Sequence, residues 1–347
     1  MAVDAFADID TIAVCQECWC VPLNSGEFEA SKLSTCLSRL KTNYSNAKII
    51  LGAGSEHFAG LIESIEGWTL LSSDISTLSK VNRPKEFFRA LTDLNIPFPE
   101  INFNIAPAAN DWLYKRPSSC GGVGISRSNS LRIEALSGYW QREMVGVSMS
   151  ALCISDQREH VIIGINQQYV NSNFDALPYL YEGALANAFI SKENLIKIES
   201  YVDKLISYFN LVGVFSMDMV VARGEVFVIE INPRISASYE LYEQLNPGLN
   251  LVDAHIRVCE GERLSNILIN SQNYALYGYL IIYADTDIEV HGDMLWPDWA
   301  KDKPESGRLI SVGEPVCSVY VEAGNDAESV RTLLEERRKQ ILSLLKQ

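Results

Sequence analysis

Two strongly apolar segments flank the turn dipeptide Arg223-Gly224, and the acidic residues within them constrain the fold more than any other feature. The two segments and the turn between them predict a β-hairpin in which Asp218 and Glu230 lie on adjacent strands near the same end. Asn232 shares a face with Glu230, because side chains two residues apart along a strand point the same way. A solvated hairpin face is the alternative, but carboxylates among apolar neighbours need a partner. The hairpin therefore predicts hard oxygen ligands suited to Mg²⁺ shared with phosphates. Just beyond, Arg234 is suited to a two-pronged contact with a phosphoryl or carboxylate oxygen.

A glycine-rich loop forms the second candidate site. A predicted strand ends at Lys115, and Gly121, Gly122 and Gly124 follow it. Glycines let backbone N–H groups approach phosphate oxygens closely, and a lysine at the strand end adds positive charge. The loop is not a Walker A motif, because no Gly-Lys-Ser/Thr follows, and its spacing differs from a dinucleotide-binding fingerprint. The sequence of this loop alone is explained equally well by an ordinary glycine-rich surface turn.

Length and charge narrow the class of protein. A chain of 347 residues is long enough for two or three compact units. Its net charge of −15 disfavours nucleic acid and anionic membranes as main partners, although a local basic cleft can still hold an anionic substrate. No apolar run approaches the roughly 20 residues of a membrane helix, and no secretory signal is recognisable. We therefore expect neither nucleic acid nor a membrane as partner.

The eight cysteines are scattered, which fits reduced thiols in a cytoplasm better than a disulfide framework. Cys15, Cys18 and Cys20 lie close together in sequence. A zinc site needs a fourth ligand, and none of the four histidines has a partner at ligand spacing. We expect buried or idle thiols here, and a cytoplasmic protein.

Hydrophobic periodicity divides the chain into three regions. Residues 1–99 are predicted to form a small N-terminal α/β domain, because short strands alternate with helices there. Residues 100–260 are rich in strands and contain the glycine loop, a long helix and the hairpin. Residues 261–347 are predicted to form a β-rich segment that ends in an amphipathic helix. The expected fold class combines α/β and α+β structure.

The glycine loop, the strand region 139–146 and the hairpin together resemble three motifs of the ATP-grasp superfamily, in the order in which that superfamily has them. The resemblance runs from about Lys48 to Glu240. It implies an ATP-grasp fold, in which ATP lies between two α+β halves beneath a glycine-rich lid. It also implies ATP and Mg²⁺ as cofactors, with a small-molecule carboxylate and an amine as substrates.

The resemblance also implies individual roles. The nucleotide-binding positions are Arg83, Lys115, Gly121, Gly122, Gly124, Gln141, Glu143 and Met144. Gln141 would meet the exocyclic amine of adenine, and the backbone of Glu143 and Met144 would face the ring. The metal ligands would be Asp218, Glu230 and Asn232. Lys115 and Arg234, the arginine of the motif Glu-x-Asn-Pro-Arg, would act in catalysis.

Two positions depart from the superfamily pattern. The superfamily usually has a lysine ahead of the helix that ends near residues 96–97. Here Arg83 is the best-spaced cation, with Lys85 as the alternative. Many members carry a glutamate for the ribose where this chain has Ser148, so the ribose contacts are expected to differ.

Segments at residues 51–56 and 278–321 resemble a branch found with one-carbon cofactor enzymes. Members of that branch add glutamate to methanofuran-type or tetrahydromethanopterin-type cofactors. A first strand and helix usually precede the stretch equivalent to residues 3–11. The N-terminal domain is therefore expected to be incomplete or to begin differently.

The sequence thus predicts an ADP-forming ligase that phosphorylates a carboxylate to an acylphosphate and joins it to an amine. An ATP-grasp carboxylase acting through carboxyphosphate is the rival enzyme, and a nucleotide-binding protein without turnover is a third interpretation. The intact ligand set argues against the third. The identity of the acid and amine stays open, as does homo-oligomer formation.

Overall fold

The computed structural model describes residues 1–24, 27–104, 111–117, 119–127, 138–170, 177–267, 269, 273–292, 294–322 and 326–346. The α-helices are α1 (Ile9–Val14), α2 (Ala30–Asn43), α3 (Ala59–Glu63), α4 (Ile75–Val81), α5 (Pro84–Asp93), α6 (Lys192–Phe209), α7 (Tyr239–Leu245), α8 (Leu251–Cys259) and α9 (Ala327–Leu344). The strands up to the glycine loop are β1 (Ala2–Asp4), β2 (Cys18–Cys20), β3 (Leu23–Asn24), β4 (Glu27–Phe28), β5 (Lys48–Ile50), β6 (Thr69–Leu71), β7 (Ile101–Asn102) and β8 (Trp112–Lys115). The later strands are β9 (Ile125–Arg127), β10 (Tyr139–Arg142), β11 (Val147–Asp156), β12 (His160–Val170), β13 (Tyr181–Ala186), β14 (Val212–Ala222), β15 (Glu225–Asn232), β16 (Tyr277–Tyr283), β17 (Ile288–Glu289), β18 (Ala300–Lys301), β19 (Leu309–Ile310) and β20 (Pro315–Glu322).

An eight-stranded antiparallel sheet organises the molecule, with strand order β15-β14-β11-β12-β13-β16-β20-β18. Strands β14 and β15 form the predicted hairpin, and it turns at Arg223 and Gly224, whose φ values of 53° and 78° suit a tight reversal. The strands near the C-terminus continue this sheet beyond β13. One continuous sheet therefore carries the hairpin near one edge and the C-terminal strands at the other.

Helices cover both faces of this sheet, which explains why its strands are apolar on both sides. On one face, α5 and α6 pack over apolar side chains of β11, β14 and β15. On the opposite face, α7 and α8 pack over Leu152, Ile154 and Val214. Helix α6 is capped at its N-terminus by Ser191, whose side chain accepts from the backbone N–H of Asn194, and at its C-terminus by Asn210 in the left-handed conformation. The two helical layers fix the hairpin from both sides.

A smaller four-stranded sheet, of order β7-β10-β8-β9, holds the residues flanking the glycine loop. Strands β10 and β8 are antiparallel, so Tyr139 lies opposite Lys115 and Gln141 lies opposite Leu113. Residues 1–99 contain two parallel strand pairs, β1 with β2 and β5 with β6, each joined through helical turns. The predicted mixture of α/β and α+β structure is confirmed. Among the described residues, no helix is both long and apolar enough to cross a bilayer.

His255 on α8 connects three parts of the fold and is 1% exposed. Its Nδ1 accepts a hydrogen bond from the backbone N–H of Val214 at 2.9 Å. Its Nε2 lies 2.9 Å from the carbonyl oxygen of Leu71 on β6. A neutral ring with its proton on Nε2 satisfies both contacts, because Nδ1 must accept while Nε2 donates. Protonation of Nδ1 would set two donors against each other.

We therefore expect His255 to make the fold sensitive to acid, because burial lowers the pKa of this imidazole. The unfolded-state pKa is about 6.5. The contribution of His255 to the free energy of unfolding is complete above this unfolded-state pKa. It is lost as the pH falls from there through the lowered folded-state pKa. Urea unfolding between pH 7.5 and pH 5 is expected to show a steeper loss of stability in the native protein than in His255→Gln. Equal pH dependence in the two proteins would contradict the assignment.

Candidate active site

The hairpin brings the predicted metal ligands together. Asp218 on β14 lies directly opposite Glu230 on β15. Asn232 follows on the same strand, with its Nδ2 3.3 Å from Asp218 Oδ2 and 3.5 Å from Glu230 Oε1. The strand register shifts immediately after Asp218, an irregularity that re-aims side chains beside many functional sites. Two carboxylates and an amide thus converge at one end of the hairpin.

The electrostatics of this cluster fit a divalent cation. The pKa of Asp218 is raised, first by desolvation in the cleft and then by the negative charge of Glu230. A hydrogen bond from Gln168 and the charges of Arg234 and Lys115 act in the opposite direction. Neighbouring carboxylates that repel each other gain from a shared cation, and Mg²⁺ prefers oxygen donors. The amide nitrogen of Asn232 faces the carboxylates in this structure, so ligation through its oxygen requires the amide to be reversed.

Lys115, at the end of β8, faces the same cluster. Its side chain is nearly buried, and desolvation lowers the pKa of the ammonium, whereas Glu230 and Asp218 act to raise it. The ammonium therefore lies within electrostatic reach of both carboxylates. A phosphate entering between them would add negative charge next to Lys115 and hold it protonated.

The glycine loop lies against the segment that precedes and opens β13. The carbonyl oxygen of Gly121 accepts a hydrogen bond from the backbone N–H of Tyr181 at 2.8 Å. Gly122 has a φ of 79°, and a Cβ at this position would overlap the carbonyl oxygen of Tyr179. Only glycine permits both this conformation and this approach. The glycine loop is thus docked against the segment that opens β13.

Glu143, the residue after β10, binds side chains from two segments next to the glycine loop. Its carboxylate accepts hydrogen bonds from the hydroxyl of Tyr179 and from Arg127 Nη2, the latter at 3.2 Å. Burial, followed by the bond to Glu143, raises the pKa of Tyr179 to about 12, so its hydroxyl stays a donor. The resemblance implies a role only for the backbone of Glu143, and sequence reasoning missed its side chain because both partners are distant in sequence.

Gln141 lies on β10, two residues beyond Tyr139, which is paired with Lys115. Its side chain is 2% exposed, and Nε2 has no hydrogen-bond partner among the described residues. Leaving a buried amide donor unpaired costs about 1–3 kcal/mol, so a ligand that pairs it gains that amount. In the present orientation of the amide, Nε2 can donate to a ring nitrogen of adenine. If the amide is reversed, its oxygen can accept from the exocyclic amine. Met144 is half-buried three residues further on.

Arg83 and Lys85, the two alternatives for the early cation, line one cavity of about 450 Å³ together with Tyr139. Arg83 is paired with Glu86 at 2.9 Å, while Lys85 Nζ lies 5.5 Å from the ring centroid of Phe103. Both cations therefore reach the same space beside the loop. Either one is placed to approach a nucleotide there.

Arg234 is almost completely enclosed, and Glu56 is its nearest partner. Arg234 Nε donates to Glu56 Oε1 at 2.6 Å, and the two side chains are 10% and 8% exposed. Arg234 Nη2 donates to Asn232 Oδ1 at 3.2 Å, and Nη1 donates to the carbonyl oxygen of Ile235 at 3.3 Å. Sequence reasoning placed Arg234 beside the ligands but gave no role to Glu56, which lies in a different region of the chain.

Two further polar residues complete the site. Gln168 on β12 bonds Asp218, and its Oε1 accepts from Ser148 Oγ at 2.8 Å. The hydroxyl of Tyr181 lies 2.7 Å from that of Tyr279, and the charges of Asp218 and Arg234 act on its phenol. The only sequence signal for Gln168 was a polar residue inside an apolar strand.

Comparison with known proteins agrees with this geometry. Residues 84–238 match the family described as ATP-grasp domain. Over 78 residues the chain is 32% identical to the carbamoyl phosphate synthase large chain of Thermoplasma volcanium. That match covers 22% of this chain and spans only 7% of the length of that relative.

Solved structures extend the likeness to the whole chain. The biotin carboxylase domain of Hydrogenobacter thermophilus 2-oxoglutarate carboxylase, in complex with MgADP, ADP and bicarbonate, superposes with a TM-score of 0.69 at 15% identity, covering 92% of this chain and 80% of that one. Biotin carboxylase from Campylobacter jejuni gives a TM-score of 0.72 at 11% identity, covering 100% and 89%. The multifunctional pyruvate carboxylase of Rhizobium etli gives 0.67 at 14% identity, covering 96% and 34%. The match over residues 84–238 and these superpositions show that the chain has the ATP-grasp fold.

Proposed function

We propose that the protein is an Mg-ATP-dependent ligase that phosphorylates a carboxylate to an acylphosphate and joins it to an amine, releasing ADP and phosphate. The observation that carries this proposal is the convergence of Asp218, Glu230 and Lys115, the last of which ends the strand before the glycine loop. ATP and Mg²⁺ are the cofactors, and the other substrates are small molecules. We also propose that the reaction takes place in the cytoplasm.

Charge placement supports attack at the terminal phosphate. Asp218, Glu230 and Asn232 would hold Mg²⁺, which neutralises negative charge on the phosphates when bound. Lys115 adds a point charge at the same end, while Gln141 offers its unpaired amide to adenine at the other. Groups that stabilise transferred charge are thus gathered where the γ-phosphoryl leaves, which favours ADP over AMP as product.

The glycine loop supports an intermediate that must be kept from water. An acylphosphate hydrolyses if water reaches it before the amine does, and lid closure excludes water from such sites. The backbone bond between Gly121 and Tyr181 holds the glycine loop against β13, and Glu143 holds the neighbouring side chains of Tyr179 and Arg127. Arg234, beside the ligand cluster, is placed to orient the carboxylate or the phosphoryl group.

A carboxylase acting through carboxyphosphate is the second candidate. The structurally similar 2-oxoglutarate carboxylase domain was solved with MgADP and bicarbonate, which favours bicarbonate as an alternative acid. The two candidates share the nucleotide chemistry proposed here and differ in the acid that accepts the phosphoryl group. Glutamate ligation to a methanofuran-type or tetrahydromethanopterin-type cofactor, which the sequence resemblance implies, is one specific case of the first candidate.

Product analysis distinguishes these candidates. The purified protein is incubated with Mg-ATP and a panel of acids and amines that includes glutamate and one-carbon cofactor precursors, with and without bicarbonate. We expect ADP and phosphate whose formation requires both an acid and an amine. ADP formation that needs only bicarbonate would favour the carboxylase. AMP as the main product would contradict the proposed mechanism, and nucleotide binding without any product would favour a protein without turnover.

A further inference from the structure

We propose that Glu56 is a positioning residue for Arg234, and that through this contact it sets where the phosphoryl or carboxylate oxygen of the substrate binds. The inference rests on the proposed function, because it concerns the same reaction centre. It adds a residue from the N-terminal region, outside the segment that matches the ATP-grasp family. The ion pair of 2.6 Å between Arg234 Nε and Glu56 Oε1 carries it.

Among the described residues, the hydrogen-bond partners of Arg234 leave two of its N–H groups for a ligand. A guanidinium has five N–H groups. Glu56 takes the one on Nε, Asn232 takes one on Nη2, and the carbonyl of Ile235 takes one on Nη1. One N–H remains on each terminal nitrogen. When the Asn232 amide is reversed to ligate Mg²⁺, Glu56 and the carbonyl of Ile235 still hold the guanidinium at two points. A guanidinium held in this way loses little entropy when it binds an oxyanion, which is how a site becomes preorganised.

The turn that delivers Glu56 is itself fixed. It follows the carboxyl end of the parallel strand β5, the edge at which α/β sheets present functional groups. Gly54 adopts a φ of 77°, and Ser55 Oγ donates to the carbonyl oxygen of Gly52 at 2.7 Å. Phe58, two residues on, packs in the core of the N-terminal region. Glu56 therefore has little freedom to leave Arg234.

Stability alone is a weak reason for this ion pair. Burying two charges costs several kcal/mol of desolvation, and apolar residues of similar volume are often at least as stable. The pair also gives Arg234 a negative neighbour, which reduces its net attraction for anions. Glu56 instead orients Arg234, because it fixes the plane of the guanidinium beside Asn232.

The test compares Glu56→Gln and Glu56→Ala with Asp156→Asn. Asp156 forms a similar pair with Arg263 at 3.0 Å, with a side chain 4% exposed, and lies at the end of β11 remote from Ser148 and Ser150. Calorimetry measures the affinity of inorganic phosphate for protein saturated with Mg-ADP, together with the affinity of Mg-ADP itself. ADP-forming turnover and melting temperature are measured on the same proteins.

We expect Glu56→Ala to weaken phosphate binding at least fivefold and kcat at least tenfold, with Mg-ADP affinity within twofold of the native value. Glu56→Gln should lie between, because its amide oxygen still accepts from Nε. Asp156→Asn should change only the melting temperature. In an Arg234→Ala background, Glu56→Ala should cause no further loss, because its effect runs through Arg234.

Native phosphate affinity in both Glu56 variants would overturn the inference. So would a loss of phosphate affinity on adding Glu56→Ala to Arg234→Ala that equals the loss which Glu56→Ala causes in the native protein. Absence of phosphate binding by the native protein would overturn it as well. If no acid supports ADP formation in the native protein, the proposed function fails, while the phosphate titration still decides the role of Glu56.

Discussion

Replacing Asp218 by asparagine is expected to lower ADP formation on the order of 10³-fold while the fold stays intact. The carboxylate would hold the cation that neutralises the transferred phosphoryl group, and such charge stabilisation supplies several kcal/mol in the transition state. The amide keeps the volume of the side chain and its place opposite Glu230. Steady-state ADP release at saturating Mg-ATP measures the loss.

The same substitution should raise stability when no Mg²⁺ is present. The folded-state pKa of Asp218 is raised, so its stabilising contribution is present below the unfolded-state pKa of about 3.9 and is lost as the pH rises through the folded-state value. At pH 8 with a chelator, Asp218→Asn should therefore melt at a higher temperature than the native protein.

Glu225→Gln is the matched control for this prediction, because Glu225 lies on the same hairpin at its turn end and pairs with Lys197 at 3.0 Å on the surface. It should change neither turnover nor the response to Mg²⁺. Activity of Asp218→Asn within tenfold of the native protein would remove Asp218 from the ligand set.

Gly122→Ala is expected to reduce coupled ligation on the order of 10²-fold. Its Cβ would overlap the carbonyl oxygen of Tyr179, so the loop cannot dock in its present position. A displacement of about 1 Å in a reacting site costs on the order of 10²-fold in rate. An open loop also admits water, so a larger share of the ADP should form without ligated product.

Gly121→Ala separates this docking effect from backbone strain. Gly121 also has a positive φ, 63°, but a Cβ there meets no atom within 4 Å. It carries only the conformational cost of the left-handed region, about 1–2 kcal/mol. Comparable ligation, and a comparable share of uncoupled ADP, in the two variants would show that strain and not docking explains the loss.

The residues that sequence analysis located best are those fixed by local pattern. The hairpin follows from the apolar segments that flank the turn dipeptide Arg223-Gly224, and the strand before the glycine loop ends at Lys115 as predicted. The predicted long helix is α6, which ends at Phe209 and is capped by Asn210 in the left-handed conformation. Local propensity and turn chemistry determine these features without help from the rest of the chain.

The contacts that complete the site depend on pairing between distant segments, and no local pattern encodes them. Glu56 reaches Arg234 only because the turn after β5 lies against the hairpin, and Tyr179 reaches Glu143 from a segment 36 residues away in sequence. Gln168 bonds Asp218 across β11, a neighbour relation set by sheet order. The roles of the predicted ligand and nucleotide residues stay predictions until they are tested.

The pairing of β13 with β16 has a consequence for how the protein is synthesised. Residues 187–276 separate the two strands, so a nascent chain emerging at about 5–20 residues per second carries an unpaired edge at β13 for on the order of 10 s. Exposed edge strands recruit other chains. A fragment that stops after the hairpin would keep that edge permanently, and we expect it to aggregate on expression. Recombinant work on this protein should therefore retain the strands up to β20, and chaperone dependence should be greatest before they leave the ribosome.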